Sequence, residues 1–225
     1  DLMKKPYIIV HMMMSVDGRI DCDMTAQLQG TNEYYQTLQD INAPTTLSGR
    51  VTAELELAQS GKFESHGSSI VGIEKFSKKL DNAGYNVVVD TKGTLLWDDD
   101  AQYSRPHIII TSQQVKQDYL DYLDSKNISW IVTGESKIDL KRATEILKKE
   151  FNVERMAIVG GGNIDGSFID EGLVDEISLL IGAGVDGRAN MTAVFDGRAN
   201  NHGIVPLQLK SVQKYDDNAV WLRYT

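Results

Sequence analysis

The chain has 225 residues, enough for one large α/β domain or two small ones, and we predict a single domain over residues 1–225. Hydrophobic residues make up 41% of the chain and charged residues 24%, close to the globular average, which argues against a disordered protein or a membrane protein. The net charge of −9 argues against a general nucleic-acid or anionic-membrane surface, so an anionic ligand must be bound locally by backbone amides and a few basic side chains.

Residue types that bind metals are few and scattered. Cys22 is the only cysteine, which excludes an intrachain disulfide and a zinc site built from several thiolates. His11, His66, His107 and His202 show no metal-binding spacing, so we predict no metal site. Apolar runs fall short of the roughly 18 residues of a spanning helix, and the N-terminus lacks the apolar stretch of a signal peptide. We therefore expect a cytoplasmic location.

Strands and helices are predicted to alternate along most of the chain. Continuous apolar or β-branched runs predict strands at residues 7–14, 44–47, 86–90, 106–111, 128–133, 156–159 and 174–181. Helical spacing predicts helices at residues 32–41, 51–58, 113–124 and 140–151, and one that opens near residue 163. Residues 59–69 are expected to be a mobile loop that could cover a site. The chain ends in a predicted hairpin, residues 207–215 and 219–224. This order predicts an α/β fold with a mainly parallel sheet, helices on both faces and an antiparallel C-terminal edge.

One predicted strand runs directly into three glycines, in the sequence Met156-Ala-Ile-Val-Gly-Gly-Gly-Asn163. Glycines let a ligand approach the backbone closely, and the helix that follows would point its N-terminal amides at the same place. The pattern is typical of a phosphate or dinucleotide site. A plain strand-to-helix turn remains the alternative, because a short glycine-rich match is a weak signal.

Polar residues or glycines also follow the other predicted parallel strands. In an open α/β sheet such strand ends converge on one crevice, where ligands bind. The glycine turn lies late in the chain, and no Gly-x-Gly-x-x-Gly follows an early strand, so the ordinary Rossmann fold is not indicated. The polar or glycine segments at the ends of the predicted strands are residues 15–18, 48–52, 90–91, 111–112, 133–134 and 160–163.

Five of these segments, taken in order, resemble the reductase domain of the riboflavin-biosynthesis deaminase-reductase. They are Met14-Ser-Val-Asp-Gly-Arg-Ile20, Ser48-Gly-Arg-Val-Thr52, Val87-Val-Val-Asp90, Ile108-Ile-Ile-Thr-Ser112, and the long motif from Val159 to Glu176. The resemblance spans nearly the whole chain and implies a dihydrofolate-reductase-like fold. It also implies a homodimeric, NADPH-dependent oxidoreductase that reduces 5-amino-6-(5-phosphoribosylamino)uracil by direct hydride transfer.

The resemblance also implies site residues. The cofactor would be flanked by Gly49, Arg50 and Thr52, with Thr111 and Ser112 on its adenosine side. The pyrophosphate would be held by Gly160, Gly161, Gly162, Asn163 and Ile164. Substrate and nicotinamide would lie near Ser15, Asp17 and Gly18. Asp17 or Glu56, or water held by them, is the candidate to supply or relay a proton; for Asp17 the alternative is a carboxylate that caps local amides.

The chain departs from the family pattern at two places that affect the substrate. Val159 stands where the family usually has a glutamate, and Ala53-Glu-Leu-Glu-Leu-Ala-Gln-Ser-Gly61 replaces an Asp-Pro-x-Leu-x-x-Arg segment that helps to bind the substrate phosphate. Lys62 could replace the missing base. No zinc-binding deaminase signature is present, so a stand-alone reductase is expected.

Other functions remain open at this point. A reductase of the same fold could act on a different pterin, pyrimidine or enone, and a non-catalytic dinucleotide-binding dimer would keep the cofactor turns alone. The late glycines disfavour a methyltransferase. A short-chain dehydrogenase is disfavoured because the only Tyr-x-x-x-Lys pair, Tyr122 with Lys126, falls at a predicted helix end. For the 2′-phosphate of NADPH, the candidate bases are Arg50, Lys116 and Lys137.

Overall fold

The computed structural model describes residues 4–225, apart from the side chain of Gln102, so the first three residues of the predicted domain lie outside the described residues. Its α-helices are α1 (Cys22–Thr25), α2 (Thr31–Asp40), α3 (Arg50–Glu56), α4 (Gln117–Ser125), α5 (Leu140–Phe151) and α6 (Gly162–Asp170). Its strands are β1 (Tyr7–Met14), β2 (Thr45–Ser48), β3 (Lys75–Ser77), β4 (Asn86–Val89), β5 (His107–Thr111), β6 (Ser129–Val132), β7 (Arg155–Ile158), β8 (Glu176–Ile181), β9 (Leu209–Lys214) and β10 (Val220–Tyr224). A short 3-10 helix spans Asp100–Gln102.

Predicted and observed elements agree closely where local signals are strong. Strand β1 has the predicted bounds, and so does α5, whose N-cap Asp139 accepts a hydrogen bond from the Arg142 amide at 3.0 Å. Helix α4 starts later than predicted and β8 starts at Glu176. Elements α1 and β3 were not predicted, because each is too short to show a repeating pattern.

Described residues fall into two compact units, and the prediction of a single domain stays a prediction. The first unit contains residues 4–6 and 44–154. Its strands lie in the order β3-β6-β5-β4-β2, with β2, β4, β5 and β6 parallel and β3 antiparallel to β6. The carboxyl ends of the parallel strands therefore lie at one edge. Trp97, Ile109, Tyr119 and Leu120 are among the buried residues of its core.

The second unit contains residues 7–43 and 155–225. Its strands lie in the order β7-β1-β8-β10-β9, where β7 and β8 run parallel to β1 and the β9–β10 hairpin is antiparallel. A core that includes Ile9, Ile41, Leu180 and Trp221 packs in this unit. Parallel strands with an antiparallel C-terminal hairpin confirm the predicted fold class.

A buried histidine lies in the second unit, on β1. His11 Nδ1 lies 2.8 Å from Ser178 Oγ and Nε2 lies 3.2 Å from Thr37 Oγ1, while the ring stacks on Tyr34. Burial lowers the pKa of His11 to about 4, so the ring is neutral at physiological pH. Both ring nitrogens have protein partners, so His11 is a structural histidine.

Residues 59–69, predicted as a mobile loop, make hydrogen bonds and ring contacts with other parts of the first unit. The Phe63 amide donates to the Thr94 carbonyl at 2.8 Å, and the Phe63 ring lies 5.1 Å from the Tyr119 ring. Ser65 Oγ and the His66 amide both donate to the Asp118 carboxylate, at 2.8 and 3.0 Å. These partners lie far away in sequence, so local composition could not reveal them, and the expectation of a loose loop is wrong in this respect.

Candidate functional site

The glycine turn of the second unit begins directly after β7 and Val159. Gly160 has a φ of 104°, a left-handed conformation that strongly favours glycine, and the Gly160–Gly161 peptide bond is cis. Gly161 is the N-cap of α6 and makes no side-chain capping bond. Because no side chain caps this end of the helix, its first amides and the positive end of its dipole are suited to an anion.

The next two glycines of this motif allow a neighbouring segment of backbone to lie close to α6. A Cβ atom on Gly162 would overlap the carbonyl oxygen of Ala193, and one on Gly166 would overlap that of Asp196. The Asp196 amide donates to the Gly162 carbonyl at 3.0 Å. Gly162 and Gly166 thus allow the backbone of residues 193–196 to lie directly against α6, and protein backbone occupies the space above Gly162.

The turn after β1 is closed by its own polar groups. Ser15 Oγ donates to Asp17 Oδ1 at 2.6 Å and accepts from the Arg19 amide at 3.0 Å. The Asp17 carboxylate also accepts from the amides of Asp186 and Gly187, at 3.0 and 2.8 Å. The hydrogen bond from Ser15, followed by those two amides, holds the pKa of Asp17 well below its usual range.

Residues 184–196 connect this turn with α6. The Val16 amide donates to the Gly184 carbonyl at 2.9 Å, and the Val194 amide donates to the Gly18 carbonyl at 3.1 Å. The same segment reaches α6 through the bond from Asp196 to Gly162. Within the second unit the structure therefore brings together two predicted groups, residues 15–18 and residues 160–164. Sequence reasoning missed the connecting segment, because its contacts are made by backbone groups.

Three predicted cofactor residues lie at the start of α3 in the first unit. Gly49 is its N-cap, with a φ of −79°, a conformation that other residues also adopt. Arg50 is exposed and pairs with Glu54 at 2.8 Å, and Thr52 is half-buried. Glu56 is the last residue of the helix and is exposed. Arg50 therefore has further guanidinium N–H groups with which it can bind an anion while it pairs with Glu54.

Thr111 and Ser112 lie at the carboxyl end of β5 and are fully buried. Each hydroxyl donates to the carbonyl oxygen of Thr91 at 3.0 Å. Asp90 is also buried and accepts from the amides of Thr94 and Leu95, at 2.8 and 2.9 Å. These polar strand ends of the first unit are therefore used for turn formation.

One buried acid in the glycine motif was not singled out from the sequence. Asp165, in the first turns of α6, is fully buried, and neither carboxyl oxygen has a hydrogen-bond partner among the described residues. Burial raises the pKa of Asp165 to about 9. The Gly160 amide acts in the opposite direction. The only signal in the sequence was an acid inside the glycine motif, between Ile164 and Gly166.

Metal and membrane features can be stated only for residues 4–225. Within this range no group of three or more His, Cys, Asp or Glu side chains is arranged to hold a metal ion. No helix in the same range combines the length and apolarity needed to cross a bilayer.

Comparison with known proteins decides the family. The model of the family described as the RibD C-terminal domain matches residues 6–221, nearly the whole chain. The chain belongs to the RibD C-terminal domain family. This match confirms the resemblance found in the sequence motifs.

Solved structures show the same fold at low sequence identity. A pyrimidine reductase-like protein from Corynebacterium diphtheriae is 17% identical, with a TM-score of 0.70 over 97% of this chain and 91% of that one. The riboflavin biosynthesis reductase Rib7 from Saccharomyces cerevisiae is 18% identical, with a TM-score of 0.62 over 98% and 90%. RibD from Acinetobacter baumannii is 18% identical, with a TM-score of 0.67; 98% of this chain matches 58% of that protein. The chain thus spans little more than half the length of that RibD protein.

Proposed function

We propose that this RibD C-terminal domain is an NADPH-dependent reductase of 5-amino-6-(5-phosphoribosylamino)uracil. The observation that carries the proposal is the uncapped N-terminus of α6 behind Gly160 and Gly161, in a chain that matches its family over residues 6–221. Backbone amides are the groups that an acidic protein needs in order to hold a diphosphate. The turn therefore fits a dinucleotide.

Bound NADPH would supply the hydride that passes directly to a C=N or C=O carbon of the substrate. Gly160, Gly161, Gly162, Asn163 and Ile164 would hold its pyrophosphate, and Gly162 also makes room for the backbone of Ala193. For the 2′-phosphate, Arg50 remains the candidate base, with Lys116 and Lys137 as alternatives. Gly49 and Thr52 remain candidates to flank the cofactor, and Thr111 and Ser112 remain candidates for its adenosine side.

For the proton, the geometry favours a positioning role for Asp17. A carboxylate that accepts from Ser15 and two amides, and whose pKa is depressed, holds no proton to donate at neutral pH. Asp17 would instead order Ser15 and Gly18 beside the substrate. Glu56 remains the candidate for proton transfer.

A reductase of the same fold with a different substrate is the second candidate. Val159 is half-buried and packs on the core of the second unit, so an apolar side chain replaces the charge that the family usually has there. In the replaced segment, Ala53 is buried, and Leu57 and Ala58 pack on the core of the first unit. These apolar contacts, in place of a basic phosphate ligand, support a substrate that lacks the phosphate.

The test is NADPH oxidation, followed at 340 nm, with the phosphoribosyl pyrimidine and with its dephosphorylated form. Turnover of the first supports the proposed substrate, and turnover of the second alone supports the other candidate. A Gly160→Ala variant should weaken NADPH binding, because φ at this position is positive. Gly172→Ala is the matched control, since φ there is also positive, 68°, with no atom within 4 Å of the added Cβ. Equal losses in both variants would contradict the role of the turn.

A cytoplasmic homodimer is also part of this proposal. All six residues of β9 are exposed, including Leu209 and Val212 at 58% each, and its outer edge is open in the chain described. An apolar cavity of about 240 Å³, lined in part by Ile169, Phe195 and Leu207, lies in the same unit. Light scattering should give twice the chain mass, and Leu209→Lys with Val212→Lys should give a monomer. Gln213→Lys is the control on the same strand; a monomeric native protein would contradict the dimer.

A further inference from the structure

Asp165 differs from the other buried acids of the described chain. Asp90 accepts two amide bonds, Asp100 bonds His107, and Glu176 forms ion pairs with a lysine and an arginine. Asp165 is fully buried, yet neither oxygen has a hydrogen-bond partner among residues 4–225. A buried polar group without a partner destabilises the fold, so such groups are rare in protein cores. Where one occurs, it indicates a functional role.

The position of Asp165 connects it with the cofactor turn. Its amide donates to the Gly161 carbonyl at 3.0 Å, so it lies one helical turn beyond Gly161 and directly after Ile164, the last predicted pyrophosphate residue. The Gly160 amide is the polar group that acts on its carboxyl. The side chain is thus a buried, unpartnered polar group directed at the backbone that would hold the diphosphate.

A charge at this place would oppose a dinucleotide. Two negative charges in a dry region repel each other strongly, since water does not screen them. Burial keeps the pKa of Asp165 near 9, so the side chain is a neutral acid at physiological pH. A neutral acid leaves the positive end of α6 free for an anionic ligand.

We propose that Asp165 is a positioning residue of the cofactor turn, and that the dinucleotide binds only while the Asp165 carboxyl group is protonated. This inference rests on the proposed function, because it takes residues 160–164 as the site of the diphosphate. Ionisation of one buried acid then expels the cofactor at high pH. By reciprocity, bound cofactor makes Asp165 harder to ionise.

Charged groups on α6 itself and on the segment that packs against it are bound to other partners. The Asp196 carboxylate accepts from the Ala193 amide at 2.9 Å. Asp170, at the C-terminal end of the helix, bonds Arg198 and His202 at 3.0 and 2.6 Å. None of these groups contributes to the pKa of Asp165, which burial and the Gly160 amide determine.

The first experiment measures the dissociation constant of NADPH between pH 7.5 and 10, above the range in which its phosphates titrate. For the native protein it should rise about tenfold per pH unit above about pH 9, and for Asp165→Asn it should stay constant. Asp121→Asn, an exposed acid on α4, is the control and should follow the native profile. A flat native profile, or parallel loss of affinity in Asp165→Asn, would overturn the proposal.

Stability of the ligand-free protein gives a second readout. The pKa of Asp165 is higher in the folded chain than in the unfolded one, so its contribution to stability is complete below about pH 4 and is lost as the pH rises towards 9. Asp165→Asn should therefore raise the unfolding midpoint by about 5 °C or more at pH 8, and by little at pH 4. An equal midpoint at pH 8 would contradict a buried neutral acid. Asp165→Leu serves the same purpose if the asparagine variant does not fold.

The two experiments separate this inference from the proposed function. If NADPH binds neither protein at any pH, the proposed function fails, whatever the unfolding midpoints are. If NADPH binds and the native affinity does not depend on pH, only the role of Asp165 fails.

Discussion

Two turns at strand ends, one in each unit, use a buried acid in opposite ways. After β4, Asp90 accepts hydrogen bonds from the amides of Thr94 and Leu95, so the carboxylate is bound within its own turn. After β7, Gly161 caps α6 without a side-chain bond, and Asp165 has no partner in the described chain. A polar residue after a strand is therefore weak evidence for a site, because most such residues stabilise their own turn. An uncapped helix end beside an unsatisfied acid is stronger evidence.

The largest expected effect concerns the turn after β4, in which Asp90 accepts the local amide hydrogen bonds. Asp90→Ala removes the acceptor of the Thr94 and Leu95 amides and of the Tyr119 hydroxyl, and should lower the free energy of unfolding by about 4 kcal/mol. Urea denaturation measures the change, with Asp98→Ala as the exposed control. A loss of unfolding free energy no larger than that of Asp98→Ala would contradict the role of Asp90 in stabilising its turn.

Acid titration extends the comparison to His11, a buried group of the second unit whose ring nitrogens both have hydrogen-bond partners. The pKa of His11 is lower in the folded chain than in the unfolded one, so the stability present above pH 6.5 is lost as the pH falls towards 4. The loss should approach about 3 kcal/mol. His11→Gln should show a smaller dependence over this interval in urea denaturation. An unchanged dependence would mean that His11 is not a buried neutral ring.

Much of the fold could be predicted from the sequence, because its elements carry local signals. The apolar run of β1 and the spacing of α5 after its N-cap Asp139 set their observed bounds. Strand β3 could not be predicted, since Lys75–Ser77 forms a strand only by pairing with β6. The candidate site was reached through family motifs. The burial of Asp165 and the close approach of Ala193 to Gly162 depend on tertiary structure, which the sequence pattern does not contain.

A smaller effect sharpens the account of the glycine motif. Gly162→Ala places a methyl group against the Ala193 carbonyl and should lower the free energy of unfolding by about 2 kcal/mol. Gly203→Ala, where no atom lies within 4 Å of the added group, should change stability by less than about 1 kcal/mol. Thermal unfolding of both variants gives the comparison. Unchanged stability in Gly162→Ala would contradict the conclusion that the backbone of residues 193–196 lies directly against α6.

The smallest effect concerns the turn after β1. Asp17→Asn weakens the hydrogen bonds with Ser15 and the two amides, all at an exposed position, and should lower stability by less than Gly162→Ala does. As a positioning residue, Asp17 should affect the turnover number without shifting the pH profile of turnover. A profile that loses its acidic or basic limb in the variant would instead identify Asp17 as the proton donor.

The central claim is that the uncapped turn after β7 holds a phosphorylated dinucleotide. Calorimetric titration of the purified protein with NADPH, and with NADH for comparison, tests it most directly. The account predicts binding of one NADPH per chain, weaker binding of NADH, and loss of NADPH affinity in Gly160→Ala but not in Gly172→Ala. No binding of either dinucleotide at millimolar concentration would contradict the account.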